Sequence, residues 1–125
     1  VHVIAEPGRY LVAPAGTALV SVIGKAMRGD QAWYYLDDGV YDLFSGKLFD
    51  HAAYPLTVFI EEADASLKAA TLAGPTCDSI DVIVEDLPLP DLAVGDFIVA
   101  SQMGAYTNAT ATDFNLFPRA AVLVR

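Results

Sequence analysis

Short apolar runs separated by turn-forming residues recur along the chain. Residues 1–5 are apolar and β-branched, and a Pro-Gly turn follows at 6–9, so they predict a buried strand that ends there. Residues 17–27 are compatible with a strand or a helix, because they mix Val and Ile with Ala and Leu. The turn-forming residues 28–31 precede an aromatic run at 33–36, which favours a hairpin of two strands.

The second half of the chain continues this pattern. Residues 56–60 and 97–100 predict strands, and residues 79–85 alternate apolar with polar positions as a half-buried strand does. Prolines in the segment 87–90 exclude a central strand there, since each proline removes a donor from the hydrogen-bond ladder. Residues 120–124 predict a last strand. Six to eight short strands with regularly spaced turns indicate an all-β barrel or sandwich.

Composition narrows the class of protein. A chain of 125 residues is long enough for one domain, and 54% hydrophobic with 18% charged residues excludes a disordered chain. The formal net charge of −9 argues against nucleic acid, whose phosphates need clustered cations, and against an anionic membrane surface. No apolar run reaches the ~18 residues of a membrane-spanning helix. These features predict an acidic globular domain.

The single cysteine, Cys77, excludes an internal disulfide framework and a multi-cysteine metal site. We therefore predict no bound metal. A lone cysteine also fits a reducing compartment, and the sequence does not start with a basic region before an apolar one, so we expect a cytoplasmic protein. Because the sequence begins without Met and its first residues resemble a buried strand, we expect it to be a piece of a longer chain.

Four short segments carry residues of chemical interest, and each has a purely structural alternative. Gly8 and Arg9 end the first predicted strand, where a glycine and an arginine can approach an anion or simply form a surface turn. Cys77 and Asp78 follow a Gly-Pro turn, although free cysteines are usually buried as small hydrophobes. The other two segments are the glycine-containing loop 103–107, with Phe114 beyond it, and residues 49–51 around an aspartate.

Taken in order, these motifs closely resemble a known family over essentially the whole chain. They are Glu6-Pro7-Gly8-Arg9, Asp38-Gly39-Val40-Tyr41, Asp50-His51, Gly74-Pro75-Thr76-Cys77-Asp78 and Gly104-Ala105-Tyr106-Thr107. The resemblance is to the C-terminal part of ornithine decarboxylase and its relatives, the alanine-racemase-like (fold-type III) pyridoxal-phosphate decarboxylases of basic amino acids. It implies a TIM barrel followed by a C-terminal β-barrel. Residues 1–9 would then be the end of the last TIM-barrel strand with its phosphate loop, and residues 10–125 the β-domain.

The resemblance implies pyridoxal 5'-phosphate as the cofactor. Glu6 matches the carboxylate that pairs with the pyridine nitrogen and keeps it protonated, which makes the ring an effective electron sink. Gly8 and Arg9 match the phosphate-binding loop, and Tyr106 matches a hydroxyl donor to the same phosphate.

The resemblance also implies a substrate site shared between subunits. Asp50 and Asp78 match carboxylates that hold the distal ammonium of the substrate, and Tyr41 and Phe114 match aromatic residues along its alkyl chain. Cys77 matches the residue that helps to protonate the α-carbon after decarboxylation. In this family pattern Cys77, Asp78, Tyr41 and Phe114 serve the partner subunit's cofactor, so we expect a homodimer.

Two departures from the family pattern concern the cofactor. None of Lys25, Lys47 and Lys68 lies in a context that matches the Schiff-base lysine, and neither His2 nor His51 matches the histidine that stacks on the ring. The strand that precedes the barrel in the family and belongs to the β-domain is also missing. We therefore expect this chain alone to be inactive.

The function implied is decarboxylation of L-ornithine or L-lysine to putrescine or cadaverine and CO2, a step of polyamine biosynthesis. Asp78 after Cys77 favours a substrate with a bare distal ammonium, whereas diaminopimelate decarboxylases have a Glu at this point. Ornithine and lysine differ by one methylene, and the choice between them stays open. Two alternatives remain: a non-catalytic regulatory homologue, like the antizyme inhibitors, and an unrelated β-barrel binding module.

Overall fold

The computed structural model describes residues 1–59 and 66–124. Within these residues the chain forms one curled, six-stranded sheet with the order β3-β6-β1-β2-β4-β5. The strands are β1 (Thr17–Arg28), β2 (Gln31–Leu36), β3 (Leu56–Val58), β4 (Lys68–Ala73), β5 (Val82–Leu89) and β6 (Phe97–Ser101). Single helical turns lie in the connections, namely α1 (Arg9–Val12), α2 (Gly46–Phe49), α3 (Thr107–Thr110) and the 3-10 turns Ala13–Ala15 and Phe114–Leu116. The expected all-β class is confirmed.

The predicted hairpin is present as β1 and β2. Arg28 pairs with Gln31, and the two-residue turn between them contains Gly29 at a φ of 61°, a left-handed conformation that glycine adopts without strain. The first part of β1 pairs with β6 and the second part pairs with β2, with a bulge between Val22 and Gly24. Because one long strand changes partners at a bulge, the sheet bends there and closes partway into a half-barrel.

Strand β4 was not predicted, and it is parallel to β2. Its four residues 70–73 are all buried, so the strand shows no alternation of apolar and polar positions. A strand covered on both faces carries no period-two signal. The parallel pairing places the carboxyl ends of β2 and β4 side by side, which brings the loops that follow them together.

The prediction that the proline-containing segment 87–90 is not a central strand is confirmed. Strand β5 contains Pro88 and lies at the edge of the sheet. This strand begins at Val82, three residues later than its alternation suggested. Residues 78–81 form a turn instead, in which the Asp81 N–H donates to the Asp78 carbonyl at 3.1 Å.

The core lies on the concave side of the sheet and is closed by the connection between β2 and β3. Phe44 from this connection is fully buried, and its ring meets that of Tyr54 edge-on at 5.5 Å. Leu36, Leu72 and Ile98 are fully buried in the same core cluster. Their apolar side chains hold the two halves of the sheet together.

Two predicted strands are wrong. Residues 1–5 and 120–124 have no strand structure, and Val1 and Leu123 are almost fully exposed. Apolar β-branched runs form strands only where a neighbouring strand accepts their hydrogen bonds, and within the described residues no strand pairs with either run. The predicted strand 56–60 is shorter than expected, at Leu56–Val58, and residue 60 lies outside the described residues. The division at residue 9 stays a prediction.

None of the helices in the described part of the chain is long and apolar enough to cross a membrane.

Candidate functional site

A first group of predicted site residues meets where three helical turns begin or end. Arg9 begins α1, Asp50 follows α2 and Tyr106 precedes α3. The Arg9 guanidinium forms an ion pair with Asp50, and its central carbon lies 5.3 Å from the centre of the Tyr106 ring. Together with Gly8 these residues form what we call the arginine cluster. Two of its members, Arg9 and Asp50, line an open cleft of about 550 Å³ that Tyr54 and Gln102 also border.

Close packing of the backbone fixes Tyr106 in this cluster. The Gly104 N–H donates to the Ala13 carbonyl at 2.9 Å, and the buried Thr107 hydroxyl donates to the Met103 carbonyl at 2.7 Å. Tyr106 itself takes a left-handed φ of 60°, which turns the chain sharply between these two anchors.

Gly8 is needed for the approach of the Tyr106 hydroxyl. A Cβ atom at position 8 would lie 2.8 Å from the Tyr106 hydroxyl oxygen, closer than such atoms approach one another. A glycine, a guanidinium and a phenol hydroxyl at one place suit an anion with several oxygens. Glu6 is exposed, and among the described residues it has no hydrogen bond or ion pair with this cluster.

A second group, which we call the thiol cluster, is formed by Tyr41, Cys77, Asp78, Phe114 and Asn115. The Tyr41 hydroxyl donates to Asp78 at 2.6 Å, and its ring stacks on Phe114 with centres 4.2 Å apart. The Asn115 amide lies 3.7 Å from the exposed Cys77 sulfur. All four residues predicted to serve one site are therefore brought together, and Asn115 joins them.

The backbone of Tyr41 holds the aromatic stack in place. Thr112 donates to the Tyr41 carbonyl from both its N–H and its hydroxyl, at 2.9 Å each. This fixes the segment that carries Phe114 against the loop after β2.

Hydrogen bonding sets the charge of the thiol cluster. The bond from Tyr41 lowers the pKa of the Asp78 carboxyl below its usual value, and the N–H of Ile80 adds to the effect. The same bond, with desolvation, raises the pKa of Tyr41 to about 12. At neutral pH the cluster therefore presents an ionised carboxylate beside a protonated phenol and two stacked rings. This surface suits a cation that carries an apolar chain.

Asp81 supports this cluster, and sequence reasoning missed it. Its side chain is 2% exposed, and its carboxylate accepts from the Val40 N–H at 2.9 Å and from the Thr76 N–H at 3.0 Å. In the sequence it stands at a polar position of an alternating segment, where a solvated aspartate is equally expected. No sequence signal distinguishes it.

Asp38 is a second buried carboxyl near Tyr41. Burial raises the pKa of Asp38 to about 7, and the neighbouring Asp42 charge adds to the shift, whereas the N–H groups of Leu43 and Gly39 oppose it. Its Oδ1 accepts from the Leu43 N–H at 3.0 Å. Burial also raises the pKa of Asp42. Both acids shape the turn before α2.

The two predicted ammonium ligands lie in different clusters. Asp50 pairs with Arg9, and Asp78 bonds Tyr41. Their joint action on one ammonium stays a prediction for an assembled protein. Among residues 1–59 and 66–124, no group of three or more His, Cys, Asp or Glu side chains is arranged to hold a metal ion.

The curled sheet carries two groups of polar side chains, the arginine cluster and the thiol cluster with its exposed Cys77. Residues 9–104 match the family model for the C-terminal sheet domain of pyridoxal-dependent decarboxylases, and the chain belongs to this family.

Among relatives, the chain is 44% identical over 119 residues to the lysine/ornithine decarboxylase of Selenomonas ruminantium, covering 95% of this chain and 30% of that protein. It is similar to the crystal structure of the Vibrio vulnificus lysine/ornithine decarboxylase complexed with cadaverine, with a TM-score of 0.87 and 56% identity over 95% of this chain and 32% of that one. It is also 40% identical over 136 residues to antizyme inhibitor 2 of Xenopus laevis, covering 98% of this chain and 30% of that protein. The chain thus spans about 30% of the length of these curated relatives.

Proposed function

We propose that this chain is the C-terminal sheet domain of a longer, pyridoxal-phosphate-dependent enzyme that decarboxylates L-ornithine or L-lysine to putrescine or cadaverine. The observation that carries the proposal is the thiol cluster, in which an ionised Asp78 lies beside stacked aromatic rings and an exposed Cys77. The family supports a pyridoxal-dependent decarboxylase, and the Vibrio vulnificus complex with cadaverine supports a diamine product.

The arginine cluster fits the phosphate of the cofactor. Arg9 supplies a forked cation, Tyr106 supplies a hydroxyl, and Gly8 leaves the space that a Cβ would fill. Glu6, exposed before this cluster, would hold the pyridine nitrogen protonated. When bound, the cofactor accepts the electron pair that is left by the departing CO2.

The thiol cluster would bind the rest of the substrate and return a proton to it. Asp78 accepts a hydrogen bond from the distal ammonium, and the ring of Phe114 covers the alkyl chain and excludes water from it. The Cys77 thiol then donates its proton to the α-carbon. Asn115 contacts the sulfur and orients it.

A complete site needs both clusters, and they share no residue. Asp50 forms an ion pair with Arg9, and Asp78 accepts a hydrogen bond from Tyr41, so in this proposal Asp50 belongs to the cofactor side and Asp78 to the other. We therefore propose a homodimer in which the arginine cluster of one copy faces the thiol cluster of the second. The substrate ammonium then lies between Asp50 of one copy and Asp78 of the other.

The first experiment is Asp78→Asn in the full-length polypeptide, which keeps the shape of the side chain and removes its charge. We expect kcat/KM for ornithine and lysine to fall at least about tenfold, because a charge-assisted bond to the ammonium is lost. Asp30→Asn, an exposed residue of the hairpin turn, is the charge-matched control. Equal kcat/KM for the Asp78 variant and the control would refute the assignment of substrate binding.

Shared sites are tested by mixing two inactive proteins, one with Arg9→Ala and one with Cys77→Ala. A mixed dimer has one site with both residues intact, so random mixing should restore about a quarter of the wild-type activity. Activity no higher than that of the unmixed variants would show that each copy completes its own site.

A non-catalytic regulator is the second candidate, because antizyme inhibitor 2 of Xenopus laevis is 40% identical to the chain, close to the 44% of the Selenomonas ruminantium lysine/ornithine decarboxylase. CO2 release from labelled ornithine and lysine by the full-length polypeptide separates the two. Release of CO2 from either substrate supports the enzyme, and no release from both supports the regulator.

A further inference from the structure

We propose that Asp81 is a positioning residue, whose buried carboxylate ties the loop after β2 to the loop after β4 and thereby sets Tyr41 against Asp78. This inference rests on the proposed function and deepens it. Asp81 would touch neither substrate nor cofactor, and it acts through the two loops.

The carboxylate bridges two segments that are distant in the sequence. Its Oδ1 accepts from the Val40 N–H at 2.9 Å, and its Oδ2 accepts from the Thr76 N–H at 3.0 Å and from the Thr76 hydroxyl at 2.7 Å. Val40 adjoins Tyr41, and Thr76 adjoins the Cys77–Asp78 pair. One carboxylate therefore fixes the backbone on both sides of the Tyr41–Asp78 bond.

The backbone of Asp81 is itself held in place. Its N–H donates to the Asp78 carbonyl at 3.1 Å, and its carbonyl accepts from the Gly74 N–H at 2.8 Å. The Thr76 hydroxyl also lies 3.4 Å from the Asp78 N–H. Because the Thr76 hydroxyl bonds Asp81 and contacts the Asp78 N–H, displacement of the Asp81 side chain would also shift Asp78.

The two loops enclose the carboxylate tightly. Cβ atoms added at Gly39 or Gly74 would overlap carboxylate atoms of Asp81, so both segments approach it with bare backbone. An aspartate that merely filled space would not need three donors converging on it. The two carboxylate oxygens are matched to three donors from the two loops.

The hydrogen bond from the Thr76 hydroxyl to Asp81 can be tested by a substitution that changes the side chain very little. Thr76→Val keeps the shape of the side chain and removes its hydroxyl, which bonds Asp81 and contacts the Asp78 N–H, whereas Thr76→Ser keeps the hydroxyl. Asp81→Asn removes more, because its amide group offers one acceptor oxygen and must leave the Val40 or the Thr76 N–H without an acceptor. The matched Thr76 pair gives a result even where Asp81→Asn fails to fold.

The experiment measures kcat and KM of the full-length polypeptide for ornithine and lysine, and the dissociation constant of putrescine by calorimetry. For Thr76→Val we expect KM and the putrescine dissociation constant to rise together by about tenfold, with kcat within about twofold of wild type. Thr76→Ser should restore both constants to near the wild-type values. A purely stabilising role would instead lower the fraction of active protein, and kcat, with KM unchanged.

A third readout separates this inference from the proposed function. Carbon-13 NMR of the Asp78 carboxyl reports its titration without any substrate, and its midpoint should move upward in Thr76→Val and not in Thr76→Ser. Unchanged KM, putrescine binding and titration in Thr76→Val would overturn the positioning role. A shifted titration in a protein that turns over neither amino acid would keep the positioning role and refute the decarboxylase instead.

Discussion

Replacing Asp38 with asparagine should change how the stability of the fold depends on pH. Asp38 is 6% exposed, and burial next to the Asp42 charge raises its pKa to about 7. The unfolded chain releases the same proton near pH 4. Between these values the folded state binds a proton that the unfolded state lacks, so the free energy of unfolding falls as pH rises from about 4 to about 7.

The size of the effect follows from the shift. A rise of about three pKa units corresponds to about 4 kcal/mol of unfolding free energy, lost in full above pH 7. Asparagine keeps an oxygen for the Leu43 N–H and carries no charge at any pH. The stability of Asp38→Asn relative to wild type should therefore increase by up to about 4 kcal/mol between pH 4 and pH 8. Any effect of the amide on the free energy of unfolding that does not depend on pH cancels in this difference.

Urea unfolding followed by tryptophan fluorescence measures this difference, since Trp33 lies in β2, the strand that precedes Asp38. Wild type and Asp38→Asn are compared at pH 4, 6 and 8. Glu85→Gln, at an exposed position of β5, controls for the removal of one negative charge. A relative stability of Asp38→Asn that is the same at pH 4 and pH 8, or that tracks Glu85→Gln, would refute the reasoning.

Three further substitutions test other contacts. Gly104→Ala should destabilise the fold by about 1–3 kcal/mol or more, because its Cβ would overlap the Val12 carbonyl, whereas Gly24→Ala meets only ordinary contacts at 3.5 Å and serves as control. Equal melting temperatures for the two glycine variants would contradict this. Tyr41→Phe should raise the pKa of Asp78, since the lost hydrogen bond is the main cause of its lowering; an unmoved carboxyl titration by NMR is the opposing result. Leu72→Ala should cost about 2–5 kcal/mol in urea unfolding, because Leu72 is fully buried, and a loss below about 1 kcal/mol would show that the site collapses around the cavity.

The hairpin of β1 and β2 was predictable because its signals are local. The glycine of the two-residue turn lies between an arm rich in β-branched residues and an aromatic arm, all close together in the sequence. Strand β4 was not predictable, since the burial of its residues 70–73 depends on parts of the chain that are distant in the sequence. The predicted strands at 1–5 and 120–124 failed for the converse reason: local pattern was present, and no neighbouring strand pairs with it among the described residues.

The candidate site divides in the same way. The ordered motifs identified the family and named Tyr41, Cys77, Asp78 and Phe114 as one group, and the structure brings these four together. The separation of Asp50 from Asp78 was not predictable. It depends on which loops the sheet places side by side.

The sequence by itself determined the all-β class, the family and the chemical types of the site residues, because turn signals, apolar patterning and short motifs are written within a few positions of one another. Only the tertiary structure decided which carboxylate lies beside which partner. The parallel pairing of β2 and β4 places two loops together, and the buried Asp81 can then bond both of them. Asp78 gains its lowered pKa from Tyr41, 37 residues away in the chain. Hydrogen bonds and burial depend on distance in space, and the fold alone sets that distance.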